Sequence, residues 1–574
     1  MITPKFIKDK LMKIRREAEE REAKKRADNN KLLYLNLAAA PINIEALALI
    51  AEETAKELKA AAIEIKENKL ALAVFDAQLP AIKELIKGLE VKKYKLSIFI
   101  VSLSSLNYAW SFYKFISKKQ NQITGKIEIA QNNFLGLKNG AVSLNELKKS
   151  FGAMPMKAAN VASILEFIFF GALNNRASDI HFEPSESVVK LRLRIDGNLH
   201  DIFSEFKKDF YLYLVSRIKL LSNLKINIRD EAQDGRFTIK FPNKEVEVRV
   251  AIAPSEYGEV IVMRLLDPDA INLSLADMGA REDDLEIIKT ELRRPNGMIL
   301  NAGPTGSGKT TTLYAFLNYK KNSEIKTITI EDPIEYHLEG IEQTQVDEES
   351  GYTFANGLRS LMRQDPDVIL VGEIRDKETG EIGIQAALTG HLVLSTIHAN
   401  SAAGAIPRLL DLGVKPSSIG SALNLIIAQR LVRRLCQDCK ASQEINEEFK
   451  NKIKKFLTNL PKRVNKNNYK EIKIFKPVGC DKCNGTGYKG RIAIYELLLN
   501  DPEYEKLLVD PEHMILSSHK ELEELIIQQV GESAIKKFAL EQEMTTMKQD
   551  GILKIISGIT TMEEVEGVTG PIEL

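Results

Sequence analysis

The eight residues Gly303-Pro304-Thr305-Gly306-Ser307-Gly308-Lys309-Thr310 constrain this chain more than any other stretch. They fit the phosphate-loop pattern G-x-x-x-x-G-K-[ST] at every position. The flanks agree: Met298-Ile299-Leu300 is apolar and strand-like, and Thr311–Tyr319 is compatible with a helix. Glycines let backbone N–H groups approach a phosphate without a Cβ clash, and the helix N-terminus adds partial positive charge. Lys309 is placed to reach the β- and γ-phosphates, and the Thr310 hydroxyl to ligate Mg2+. A guanine-reading site would need N-K-x-D. The Asn-Lys pairs at 30–31, 68–69, 243–244, 451–452 and 465–466 all lack that aspartate, so ATP is expected.

Hydrolysis also needs a carboxylate to orient or deprotonate water and another to hold the metal shell. Two apolar runs end in such groups. Thr327-Ile328-Thr329-Ile330 runs into Glu331-Asp332-Pro333, and Asp367-Val368-Ile369-Leu370-Val371 runs into Gly372-Glu373. A third run, Leu392–Thr396, is flanked by His391 and His398. Strands alternate with helices from about residue 273: Gly297–Asn301, a helix from Lys309, Lys326–Ile330, a helix near Phe354–Arg363, Val368–Val371, a helix near Lys377–Ala387, and Leu392–Thr396. That rhythm predicts a parallel sheet with crossover helices, whose strand carboxyl ends face the ligand.

The remaining length must form other domains, since 574 residues at ~100–200 per domain make roughly three to five. Residues 1–30 read as a charged helical extension, and 31–118 as an α/β domain without visible chemistry. In the latter, Ile42–Leu58 forms one helix or two, strands lie at Ala62–Ile65 and Leu70–Val74 around the turn Glu67-Asn68-Lys69, and Ala81–Gly88 is a helix. The charge-free run Leu96–Tyr113 is diluted by serines. It reads as a buried strand, Leu96–Val101, and a helix capped near Ser104 or Ser105, not a membrane span. Residues 119–150 read as a linker, with a turn-prone run at 135–140. Residues 151–272 read as an α+β unit with a mostly antiparallel sheet: a helix at Ala158–Leu173, another at Tyr211–Leu221, and short extended runs between and after them. The core then spans 273–435, a cysteine-bearing insert 436–496, and a helical end 497–574. The net charge of +1 argues against a chain built mainly to coat nucleic acid. The N-terminus is charged from Lys5 onward and lacks a signal-peptide apolar region, so a cytoplasmic protein with reduced or metal-bound cysteines is expected.

The four cysteines fall into two pairs, Cys436-Gln437-Asp438-Cys439 and Cys480-Asp481-Lys482-Cys483. C-x2-C repeated in this way matches a tetrahedral zinc site. Four thiolates leave no open position for substrate, so the zinc is expected to be structural.

These elements together resemble the hexameric secretion ATPases that power type II secretion and type IV pilus assembly. The matching boxes are Gly303–Thr310, the acidic run Ile330-Glu331-Asp332-Pro333-Ile334-Glu335, the segment Arg363–Asp376, and Thr389-Gly390-His391 through His398-Ala399-Asn400. Ala177–Pro184, Arg192–Gly197 and Gln233-Asp234-Gly235-Arg236 resemble that family's PAS-like subdomain. Ala232 and Ala399 depart from its usual Pro and Thr.

The resemblance implies an α/β fold with a RecA-like P-loop core, a PAS-like α+β subdomain, an additional N-terminal α/β domain and a four-cysteine zinc-binding insert. It implies Glu331 as general base, Glu373 on the Mg2+ shell or water, and His398 at the γ-phosphate. Arg249, Arg264, Arg359 and Arg363 are the positions expected to stabilise phosphoryl charge. It further implies a homo-hexamer, peripheral at the cytoplasmic face of the inner membrane, with an inner-membrane platform protein and a cytoplasmic docking component as partners. The insert and the extra N-terminal domain favour assembly or secretion over retraction, and pilus assembly is the main reading. Type II secretion is the alternative. A DNA-translocating conjugation ATPase is more distant, since nucleic acid is an unlikely partner for so balanced a charge.

Overall fold

The structure, a computed structural model, describes residues 4–572 apart from 39, 41, 67–68, 93, 116–124, 130–142, 242–243, 272 and 501–517. The expected turn at Glu67-Asn68 and the turn-prone run at 135–140 lie outside the described residues. The chain divides into two units, Met1–Asp267 and Pro268–Leu574.

In the second unit, continuous apolar runs become strands buried along their whole length: Gly297–Ala302, Thr327–Glu331, Val368–Val371 and Leu392–Ile397. Such strands need cover on both faces, which is the condition of a parallel sheet. Successive residues accordingly enter two different cores. Met298, Leu300 and Ile330 join one; Ile299, Leu370 and Leu394 pack with Leu313, Tyr314 and Phe316 in the other. The seven-stranded order is Glu342–Gln345, Thr327–Glu331, Val368–Val371, Leu392–Ile397, Gly297–Ala302, Leu423–Leu435 and Tyr488–Leu499. All neighbours are parallel except the final pair.

The two long last strands are absent from the sequence reading, because their partners lie far apart in the chain. Leu425 pairs with Leu499 and Arg433 with Arg491, so residues 488–496, read as part of the cysteine insert, belong to the core sheet. The rest of the insert carries the strand pair Ala441–Gln443 and Ile474–Lys476 and the helix Glu447–Thr458. Helices Ser518–Ile527, Glu532–Glu541, Met547–Ile556 and Met562–Thr569 follow.

The first unit holds two sheets. One is four-stranded, in the order Leu33–Tyr34, Lys95–Ile100, Lys69–Val74, Ala60–Lys66. The helix beyond Lys95–Ile100 is capped by Ser102, whose hydroxyl accepts from Ser105 N–H, and not by Ser104 or Ser105. The hydroxyls of Ser102 and Ser105 both donate to Glu20 of the helix Pro4–Asn30, which ties that helix to this domain. The other sheet is seven-stranded, in the order Lys126–Glu128, Gln233–Lys240, Glu245–Ser255, Gly258–Leu266, Ala177–Pro184, Val188–Ile195, Asn198–Lys207. It is antiparallel except for its first pair.

Two pieces of the stretch read as a linker are regular structure. Lys126–Glu128 extends the sheet edge, and Leu144–Ala153 is a helix whose Ser143 and Glu146 form a reciprocal cap. Both are too short to declare themselves without the surface they pack on. Among the described residues, no helix is long and apolar enough to cross a membrane.

Candidate functional site

The phosphate loop follows the buried strand Gly297–Ala302 and opens the helix Lys309–Lys320. Gly306 and Gly308 have φ of 78° and 92°, left-handed values that admit glycine at little cost. A Cβ on Gly303 would stand 2.4 Å from Ser307 Oγ and 3.0 Å from the Gln429 carbonyl oxygen, so the first glycine is required by close approach. Pro304, Thr305, Gly306 and Thr310 are exposed, while Ser307 is buried. Lys309 Nζ donates to the carbonyl oxygens of Gly303 at 2.7 Å and Pro304 at 3.1 Å. Burial pushes the Lys309 ammonium below its usual pKa; Glu373 opposes that shift and Arg430 adds to it. Glu373 and Arg430 therefore share one electrostatic environment with the loop lysine.

Glu373 follows the strand Val368–Val371, and His398 follows Leu392–Ile397. Their side chains meet, with His398 Nε2 3.4 Å from Glu373 Oε2. Arg375 bridges Glu373 and Asp332, its Nη1 lying 3.3 Å from Asp332 Oδ2. That bridge joins the ends of two adjacent parallel strands. The bond to Glu373 raises the Arg375 pKa further, so this guanidinium is a fixed charge. The structure thus brings Lys309, Glu373 and His398 to one end of the sheet, as the strand order predicts.

Glu331 is placed differently. Its carboxylate is buried and accepts three hydrogen bonds: from the Tyr314 hydroxyl at 2.5 Å, the Thr329 hydroxyl at 2.6 Å and Gln343 Nε2 at 3.2 Å. Burial and the adjacent Glu331 charge push the Tyr314 phenol well above its ordinary pKa. Tyr314 therefore donates and does not ionise. None of these three partners is marked by the sequence motifs.

The four expected arginines occupy two settings. Arg359 pairs with Glu378 at 2.5 Å, and Arg363 donates to the Arg359 carbonyl at 3.0 Å. Arg249 and Arg264 belong to the first unit, where they face each other on adjacent antiparallel strands. Arg236 lies opposite Arg249, Asp179 opposite Arg264, and Arg194 opposite Asp179. Four guanidinium groups and one carboxylate thus form a single row across five strands. Like charges placed directly opposite are costly. Asp179 relieves part of that cost, with Arg264 Nε at 3.1 Å and Arg194 Nε at 3.7 Å. The sequence reading singles out only two of these arginines, because the row exists only in the strand register.

Two further residues escape sequence reasoning. Arg430 donates to Asn400 at 3.0 Å, and Gln429 contacts the loop itself. Both come from Leu423–Leu435, the strand that the apolar pattern does not reveal.

The four cysteines converge on one point. Their sulfurs all lie within 4.8 Å of one another, which makes the cluster able to hold a metal ion. Three separations are 3.9, 3.8 and 3.7 Å, for Cys436–Cys480, Cys439–Cys483 and Cys480–Cys483. A tetrahedron with Zn–S of about 2.3 Å has edges of about 3.8 Å, so the donors fit that ion. Cys483 Sγ also accepts from the N–H groups of Cys480 and Gly487 at 3.1 and 3.2 Å, which favours the thiolate.

The profile of the family described as Type II/IV secretion system protein matches residues 156–567. The type II secretion system protein E of Aeromonas hydrophila is 42% identical over 411 residues, covering 72% of this chain and 76% of its own length. The type IV pilus assembly ATPase PilB of Myxococcus xanthus is 40% identical over 414 residues, covering 72% of this chain and 68% of its own. Among solved structures, the ATPase DotB of Legionella pneumophila superposes with a TM-score of 0.49 at 21% identity, over 71% of this chain and 95% of that one. With a matching profile across most of its length and relatives at this identity, the chain belongs to the type II/IV secretion system protein family.

Proposed function

We propose that this chain is an ATP-hydrolysing motor that works as a homo-hexamer at the cytoplasmic face of the inner membrane and powers type IV pilus assembly, with type II secretion as the second reading. It is an ATPase. The observation that carries this reading is the contact of His398 with Glu373 at the carboxyl ends of parallel strands, within electrostatic reach of Lys309 in a complete phosphate loop. In this reading residues 273–435 form a RecA-like core and 151–272 a PAS-like subdomain. Residues 31–118 dock a cytoplasmic component of the machine, and an inner-membrane platform protein receives the motion.

The loop Gly303–Thr310 holds the triphosphate, and the Thr310 hydroxyl and Glu373 are the groups that would hold Mg2+ and its water shell. When bound, the cation would supply charge neutralisation for the phosphates. His398 contacts the γ-phosphate, and Arg249, Arg264, Arg359 and Arg363 supply fixed positive charge for the phosphoryl oxygens. Glu331 acts as the base. Thr329 and Gln343 donate to its Oε1 and Tyr314 alone to its Oε2, so Oε2 keeps the lone pair that would take a proton from water. Cys436, Cys439, Cys480 and Cys483 would hold structural zinc.

Relatives named for both machines match at nearly equal identity, so the machine is decided by phenotype. Deleting the gene in its source organism is expected to remove surface pili while exported enzymes still reach the medium. Loss of exported enzymes with intact pili would assign the chain to type II secretion instead.

A further inference from the structure

We propose that Gln429 is a positioning residue for ATP binding: its carboxamide ties together the strand before the phosphate loop, the loop itself and the helix after it. This rests on reading Gly303–Thr310 as the ATP site. Gln429 is 1% exposed and lies on Leu423–Leu435, the parallel neighbour of Gly297–Ala302. Its Oε1 accepts from Asn301 Nδ2 at 3.0 Å and from the Thr312 hydroxyl at 2.9 Å. Its Nε2 donates to the Ser307 carbonyl oxygen at 2.7 Å.

The last bond has a consequence for the loop. A trans peptide is planar, so its C=O and the next N–H point in opposite directions. Holding the Ser307 carbonyl toward Gln429 therefore aims the Gly308 N–H away from Gln429. That N–H belongs to the residue before Lys309, at the helix N-terminus where backbone donors meet phosphate. The loop also presses onto this residue. A Cβ on Gly308 would lie 3.0 Å from Gln429 Nε2, and one on Gly303 would lie 3.0 Å from the Gln429 carbonyl oxygen. Two of the motif's three glycines thus make room for Gln429. Only a carboxamide of this length both donates to a carbonyl and accepts from two donors. A glutamate would keep the acceptors and turn a carboxylate toward the Ser307 carbonyl.

Binding of a fluorescent ATP analogue with Mg2+ to the purified full chain tests this. Gln429→Glu and the shorter Gln429→Asn are expected to raise Kd at least ~10-fold, while Thr312→Val, which spares the Ser307 contact, changes it less than ~3-fold. Gln429→Glu buries a carboxylate against a carbonyl oxygen, so its melting temperature is expected to fall, and Kd is measured well below the melting temperature of each variant. Unchanged affinity in Gln429→Glu overturns the proposal, as does an equal loss in Thr312→Val accompanied by a parallel fall in melting temperature. If Gln429→Glu does not fold, Gln429→Asn decides by the same criteria. Lys309→Ala separates the two levels. Normal binding there would refute the loop as the ATP site; lost binding there with normal binding in both Gln429 variants would refute the role of Gln429 alone.

Discussion

The two seven-stranded sheets of this chain handle polar residues in opposite ways. In the parallel sheet of the second unit, Glu331, Asn301 and Gln429 are buried and hydrogen-bonded to other side chains. In the antiparallel sheet of the first unit, Arg192, Arg194 and Arg264 pair with carboxylates while keeping at least a quarter of their side chains in water. In a sheet covered on both faces an unpartnered polar group is costly, and of these three residues Glu331 and Gln429 have partners on both side-chain polar atoms while Asn301 has one on Nδ2 alone. A sheet with one wet face can present charge at a cost that solvent screens. The first arrangement suits a reaction centre with fixed geometry. The second leaves charged groups in contact with solvent.

The largest effect is expected at the end of the parallel sheet. Its last two strands lead into and out of the cysteine cluster, which has no counterpart among the described residues of the other sheet. Metal analysis should find about one zinc per chain, and removing it should cost the insert on the order of 10 kcal/mol, read as loss of its protease resistance. A metal-free chain with an equally resistant insert would contradict the site. Next, Leu394→Ala, at a fully buried position of the parallel sheet, should lower unfolding free energy by about 3–5 kcal/mol in a denaturant titration. A loss below about 1 kcal/mol would mean that this sheet is not covered on both faces.

Glu331→Gln should slow turnover by about 100-fold while ATP still binds. Unchanged turnover would remove Glu331 as the base. Tyr314→Phe should destabilise by about 1–2 kcal/mol, because a buried carboxylate loses a donor. The smallest effect belongs to the wet sheet. Arg192→Ala removes pairs to Glu183 and Asp201 and should cost less than about 1 kcal/mol. A larger loss than in Tyr314→Phe would reverse the contrast drawn between the sheets.

What could be read from the sequence follows the same physics. Val368–Val371 and Leu392–Ile397 are short apolar runs between turn signals, so their strands and the acids after them are legible. Leu423–Leu435 is not, because Arg430, Arg433 and Arg434 interrupt the pattern and its partners are set by long-range pairing. Gln429 and Arg430 go unseen with it. The loop's glycines are legible as a motif, but the approach of Gln429 that adds to the left-handed backbone at Gly308 and to the Ser307 contact at Gly303 is not encoded by local spacing. The arginine row is hidden similarly. Arg249 and Arg264 are separated along the chain and become neighbours only through the register of two strands. The cysteine pairs are legible because metal ligation imposes its own spacing.

In the proposed function, the loop at 303–310 holds ATP for cleavage with help from the strand-end groups around it. The direct measurement is release of inorganic phosphate from Mg-ATP by the purified full chain and by Lys309→Ala. Steady release is expected from the parent protein and none above background from the variant. Equal release by both, or none by the parent while ATP is bound and the fold intact, would contradict it.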